Sequence, residues 1–317
     1  MPRIIKYLHP ALHGYEARFT KDLLPRLNLI ETRRKALVRH QQKVMGLTSL
    51  ISIVLFAVVF LLNSRSSLWL VILPISAPLV FFGGSSYSFK KVKLFQEGTK
   101  QIIMDTIVAH FDWTFKGGLI SVSDLSVYVN NGLLPKHNKS SSEDYIEGRY
   151  NGVDFTFYEL DLRNYNGKDT NIVFKGLVLT FEPPRKFSGR TVVLRGRKFL
   201  QFNKTHGMKR IGLVDPVFEK IFEAYSTDQV EGRYLLTPDF MQHLVDLETA
   251  LRGKKIRFGF LEGKLCVALE AHNHFETGSI KEKLTDPAPV RKILNEVSAL
   301  LYLMDAILEK QKPTKLS

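Results

Sequence analysis

Apolar and polar positions along this chain follow three rhythms in turn. Tyr15, Phe19, Leu23, Leu27, Ile30 and Leu37 recur at three- and four-residue steps over a polar remainder, which predicts a helical arm with one apolar stripe. Pro25 falls inside it, so a kink or two shorter helices is expected there. Residues 44 to 89 then abandon periodicity. Val44 to Leu62 and Leu68 to Phe82 are apolar all round, and Arg65 is the single charge in the whole stretch. About 20 apolar residues cross a bilayer as a helix. The pattern therefore predicts a transmembrane hairpin, with spans at about 44–62 and 68–86 joined through residues 63–67. Pro74 and Pro78 are breakers of a kind tolerated in membrane helices, and they leave a re-entrant second segment as the alternative.

From residue 90 onward the rhythm becomes mixed. Ile102, Ile103, Ile107 and Phe111 mark a helix over 97–111. Tyr145 to Leu162 predicts a β-hairpin around Asn151-Gly152, with a pattern shift at Tyr158 that signals a bulge. Ile172 to Phe181 is apolar on both faces, as in a central strand, and Thr191 to Leu194 follows as another. A second hairpin sets Ile256, Phe258 and Phe260 against Leu265, Val267 and Leu269 across Glu262-Gly263. Gly259, Cys266 and Ala268 on its other face are small enough to admit a close neighbour, so Cys266 reads as a packing residue. Helices are predicted after Thr237-Pro238 and after Asp286-Pro287. The last carries a heptad-like apolar face from Val290 to Leu308, to be covered by the sheet or by a second subunit. Residues 136–144 and Pro183-Pro184 read as loops.

The fold class that follows is α+β: a two-helix transmembrane hairpin plus a cytoplasmic domain of antiparallel β-hairpins packed with amphipathic helices. Its divisions are a basic pre-membrane arm (1–43), the hairpin (44–89) and the α+β domain (90–317).

Charge sets the orientation. Ten Lys or Arg against three acids precede the first span, Lys90, Lys91 and Lys93 follow the second, and the tip holds only Arg65. Basic flanks stay cytoplasmic, so both termini are expected there. The long polar lead argues against a cleaved signal peptide, and the lone Cys266 suits a reducing compartment. The +14 net charge is otherwise local. Between Glu182 and Asp215 no acid occurs, while Arg185, Lys186, Arg190, Arg195, Arg197, Lys198, Lys204, Lys209 and Arg210 do. In a domain held beneath a membrane the nearest polyanion is the inner leaflet, which ranks lipid or partner docking first and nucleic acid last. The cluster at Arg33, Arg34 and Lys35 reads as anchoring charge.

Signatures of chemistry are few. No phosphate-binding glycine loop, nucleophile elbow or zinc helix occurs, and no cofactor is indicated. His272, His274 and Glu276 share one face if extended and form the one metal-like spacing. Glu231 and Arg233 would likewise sit side by side on a strand, as an ion pair or as the seed of an enzyme site together with His272–Glu276.

Three strings carry a resemblance: FKGL within VFKGLVLTFEPPRKFSGRTVVL, its F-x-GRT, and YSTDQVEGRYLLTP after Asp215-Pro216. With the basic helix LPRLNLIETRRKAL and the two-span hairpin, the chain resembles the bacterial membrane proteins catalogued as domain-of-unknown-function family 3137. The resemblance implies a bacterial inner-membrane protein and no known activity, cofactor or catalytic residues. The expected function is a membrane-anchored interaction or scaffold module whose partners are the bilayer and a protein or a second copy of the chain. The alternative is a membrane-tethered hydrolase-like enzyme.

Overall fold

The computed structural model describes residues 8–62, 69–121, 124–183, 186–195, 207–250, 255–270 and 278–308. Contacts divide the chain into two compact units: Glu16–Ile103 with Thr277–Val290, and Met1–Tyr15 with Met104–Glu276 and Arg291–Ser317.

The helical unit is dominated by α1 (Leu24–Leu62) and by α2 (Trp69–Val108), whose last turns belong to the other unit. Where a kink or two shorter helices is expected, Pro25 instead falls at the second residue of α1, directly after a π-helical stretch, Phe19–Leu23. Both apolar runs have helical backbone, but among the described residues no helix is long and apolar enough to cross a membrane. The expected hairpin thus finds no support there, and its tip, 63–67, lies outside the described residues.

Arg34 has a different role from the one its neighbours suggested. Its guanidinium donates twice to the Glu31 carboxylate, at 2.8 Å each, and once to the Ile280 carbonyl at 2.7 Å. Glu31 in turn accepts from the Leu284 amide at 3.2 Å. A buried ion pair one turn apart on α1 therefore grips the backbone of segment 278–284, and Gln96 on α2 holds the Gly278 carbonyl. Arg34 is a clamp rather than a headgroup contact.

The sheet unit holds nine antiparallel strands among the described residues: β1 (Thr114–Ile120), β2 (Lys139–Tyr150), β3 (Val153–Tyr165), β4 (Thr170–Glu182), β5 (Thr191–Arg195), β6 (Lys209–Ile211), β7 (Phe222–Ser226), β8 (Ile256–Leu261) and β9 (Lys264–Glu270). Their order is β1-β2-β3-β4-β9-β8-β5-β7-β6. Both hairpins form at the expected turns. Asn151 and Gly152 have φ 49° and 81°, Glu262 and Gly263 51° and 76°, so both central residues of each turn are left-handed as a type I′ turn requires. The irregularity signalled at Tyr158 is real, but the extra residue lies opposite, in β2 between Glu143 and Ile146, where Asp144 has φ 58°. Residues 136–144 are not all loop, because β2 already begins at Lys139.

Alternation gives the sheet two working faces. One carries the cross-strand row Phe157, Leu179, Val267, Phe258 and Val193. Beside it Phe258 and Phe260 meet Phe240 of α6, the helix Pro238–Ala250 that follows α4 (Pro216–Ile221) and α5 (Gln229–Leu235) in the chain. That helix starts as the sequence indicates, with the Phe240 amide donating to the Thr237 hydroxyl. The opposite face is covered by the short helix α3 (Ser126–Asn130) and the residues after it. Leu125 and Leu134 pack there with Tyr158, Val178 and Ala268, and Leu133 with Val192, Leu194 and Cys266. A Cβ on Gly259 would sit 2.7 Å from Leu133 Cδ1, so the close approach predicted for this face is met by Leu133. The C-terminal helix α7 (Pro287–Leu308) buries Ile293, Val297, Leu301 and Met304 within the single chain, without a second subunit.

Candidate functional site

The two most distinctive strings of the resemblance meet in space. At the start of β5, Arg190 and Thr227 are joined by two hydrogen bonds, the Arg190 amide to the Thr227 hydroxyl at 2.9 Å and the Thr227 amide to the Arg190 carbonyl at 3.0 Å. The Thr191 and Ser226 hydroxyls lie 2.9 Å apart in the same cross-strand pair. Asp228 then caps α5 (Gln229–Leu235), its carboxylate accepting from Val230 and Glu231 amides. Gly232 lies against Ile211 and Ser226, where a Cβ would come within 2.5 Å of Ile211 Cδ1. These residue types are therefore explained by a junction that seats α5 on β6 and β7.

This junction corrects the reading of Glu231 and Arg233. They belong to a helix, where residues two apart point about 200° away from each other, so they share no face and form no paired site. Arg233 instead donates to the Gln229 carbonyl at 3.1 Å.

The basic stretch is brought together only in part. Arg185, Arg197, Lys198 and Lys204 lie outside the described residues, as do His272, His274 and Glu276. Lys186 is exposed. Arg190 turns inward and donates to Asn131 Oδ1 at 3.0 Å, joining the junction to α3 rather than to a surface. Arg195 closes β5 opposite Phe222. Lys209 and Arg210 stand exposed on β6, the last strand of the sheet, with Arg210 3.9 Å from Glu219. Beside them the outward side of α5 presents Val230, Arg233 and Tyr234, spaced i, i+3 and i+4 and thus on one face. Val230 is 81% and Tyr234 62% exposed. Among the described residues no group of three or more His, Cys, Asp or Glu side chains could hold a metal.

Sequence reasoning missed a groove between α3 and the sheet. One part, about 540 Å³, is lined by Tyr128 of α3 and by Lys116, Tyr145, Thr156, Tyr158, Thr180 and Cys266 of the strands. The pairs Glu147–Thr156, Thr156–Thr180 and Thr180–Cys266 place these side chains in one row. The Tyr128 and Thr180 hydroxyls lie 3.3 Å apart, and Tyr145 donates to Glu147 at 2.8 Å. Burial pushes the phenols of Tyr128 and Tyr145 up to about 12, the carboxylate of Glu147 adding to the rise at Tyr145. Burial likewise pushes the Cys266 thiol up to about 12, which leaves it unreactive at neutral pH.

No curated protein matches the chain. Among solved structures, the crystal structure of the mycobacterial trehalose monomycolate transport factor A, TtfA, matches with a TM-score of 0.37 and 11% identity, over 64% of this chain and 94% of that one. Residues 172–308, which run from β4 through the β5–α5 junction to the end of α7 and contain the FKGL, F-x-GRT and YSTDQVEGRYLLTP strings, match the family described as Protein of unknown function (DUF3137).

Proposed function

We propose that the chain is a membrane-anchored interaction module of a bacterial inner membrane. The apolar runs at 44–62 and 68–86 hold it, both termini are cytoplasmic, and the sheet unit docks on the anionic leaflet through α5 and β6. The anchor rests on the sequence, where one charge interrupts residues 44 to 89. The docking rests on one observation: α5 presents Val230 and Tyr234 to solvent on the same face as Arg233, above a strand that carries Lys209 and Arg210. Apolar tips flanked by cations are the composition that an anionic interface receives, the valine and tyrosine entering the headgroup layer while the cations stay in its field. Lys209 and Arg233 alone contribute about 1 kcal/mol each near such a surface, together about thirtyfold in occupancy.

The test is hydrogen exchange of the intact protein in nanodiscs of phosphatidylcholine, with and without phosphatidylglycerol. Residues 207–235 should be protected in the anionic discs at low salt, and the protection should vanish in a Lys209→Glu/Arg233→Glu variant. Equal exchange in both discs would refute the docking. A chain that does not incorporate into discs would refute the anchor.

A further inference from the structure

We propose that the groove between α3 and the sheet binds an uncharged, hydroxyl-rich molecule of the carbohydrate class. Three features of the groove, none shared with the α5–β6 surface, lead there.

The first is the kind of polar group it offers. The hydroxyl-bearing residues Tyr128, Tyr145, Tyr158, Thr156 and Thr180 line one compartment, and the Tyr128 and Thr180 hydroxyls lie 3.3 Å apart. A second compartment of about 920 Å³ adjoins it through Ile120, Ser121 and Asp124. That one is lined by Ser126, Ser140, Ser141 and Ser142 with Asn130, and Lys136 and His137 also stand on its wall. A hydroxyl both donates and accepts, so a wall of hydroxyls matches a ligand whose own groups do the same. Fixed charges would not be needed.

The second is charge. The cations and acids lining the inner compartment are two of each: Lys116 and Lys264, Asp124 and Glu262. Both lysines already have partners, Lys116 with Glu147 at 3.1 Å and Lys264 with Glu182 at 2.7 Å. Within this inner compartment a phosphate or carboxylate would have to break one of these pairs, whereas a neutral molecule leaves them intact.

The third is shape. Tyr128, Tyr145 and Tyr158 stand among the hydroxyl-bearing lining residues, and aromatic rings are the groups on which the C–H side of a sugar ring can rest while its rim bonds outward. Each compartment falls in the size range of small-molecule clefts, about 300–1,000 Å³. Two joined compartments suit a molecule of more than one ring.

The experiment is binding of the intact protein, in a detergent without a sugar headgroup, to an array of neutral and acidic glycans. Neutral glycans should be retained in preference to acidic ones. Tyr128→Phe and Thr180→Val should each weaken that binding by about threefold to tenfold, the worth of one hydrogen bond. Ser141→Ala, on the exposed rim where folding is not at stake, should weaken it as well, and Lys209→Glu should leave it unchanged. Retention of no neutral glycan, preference for acidic ones, or binding indifferent to Tyr128, Thr180 and Ser141 alike would overturn the proposal. Loss of docking at anionic discs would not bear on it.

Discussion

Arg34→Met is the sharpest perturbation of the helical unit, because it keeps an apolar stem of similar length while removing every donor. Arg34 and Glu31 are 6% and 8% exposed, and three bonds from the guanidinium disappear together, two to Glu31 and one to the Ile280 carbonyl. What remains is a buried carboxylate with only the Leu284 amide among these partners. Removing one member of a buried pair costs about 3–5 kcal/mol. Since two of the bonded groups are backbone atoms of the connecting segment, the cost falls first on its attachment. Amide exchange over 278–284 should then rise by about a hundredfold or more.

The wild-type pH dependence has a definite sign. The Arg34 hydrogen bonds, helped by the Leu284 amide, hold the Glu31 carboxyl below the usual glutamate range. Its contribution is therefore fully present above the ordinary glutamate pKa and is lost as pH falls through the lowered one. In Arg34→Met the cation is gone and burial raises that pKa, so the segment should loosen at a higher pH than in the wild type. The double variant Glu31→Gln/Arg34→Met removes the orphaned charge and should recover part of the loss. Unchanged exchange over 278–284 in Arg34→Met would refute the clamp.

Three further changes probe the sheet unit. Gly176→Ala would drive a Cβ to 1.9 Å from the Leu269 carbonyl oxygen, between β4 and β9, and should cost at least about 3 kcal/mol, read as a fall in melting temperature. By contrast Gly263→Ala meets no neighbour and should cost only about 1 kcal/mol for its φ of 76°. Asp305→Asn weakens the carboxylate that receives His9 Nε2 and the Tyr150 hydroxyl, both at 2.7 Å, and should free residues 8–15 for proteolysis at a cost of about 1.5 kcal/mol. Cys266, 2% exposed and with a raised pKa, should resist alkylation until the protein unfolds, so fast labelling of the native chain would contradict its packing role.

Much of the fold was legible because its turns are chemically demanding. Asn151-Gly152 and Glu262-Gly263 fix two hairpins, and alternation around Phe258 and Val267 separates the face of large side chains from the face of small ones. Elements were missed where a glycine or a short length hides the rhythm. β1 contains Gly117-Gly118, which depress strand propensity, yet its register shifts just there, between Lys116 and Leu119, and Gly118 takes φ 77°. β7 is five residues long and buried on almost every side chain, so it shows no alternation to detect. Glu231 and Arg233 read as extended, but the Gly232 between them belongs to a helix that lies directly on Ile211 and Ser226.

The sites were less legible, for a reason that lies in sheet topology. Local spacing reports which residues share a face of one strand, and no more. It placed Cys266 and Gly259 correctly on a face of close approach, but it could not name Leu133 as the neighbour. Likewise Arg34 looked like one cation of a basic run, because Ile280 and Leu284, which it and Glu31 hold, lie at the far end of the chain. The hydroxyl groove is the extreme case. Thr156, Thr180 and Cys266 become a row only through the β3–β4 and β4–β9 pairings, and Tyr128 joins them from a five-residue helix. Each is an ordinary residue in its own segment, so a site assembled one residue per strand leaves no motif. Its character resides in the shared chemistry of groups that the sheet order makes neighbours, which is why neutral-glycan binding that responds jointly to Tyr128 and Thr180 is the observation that would reveal it.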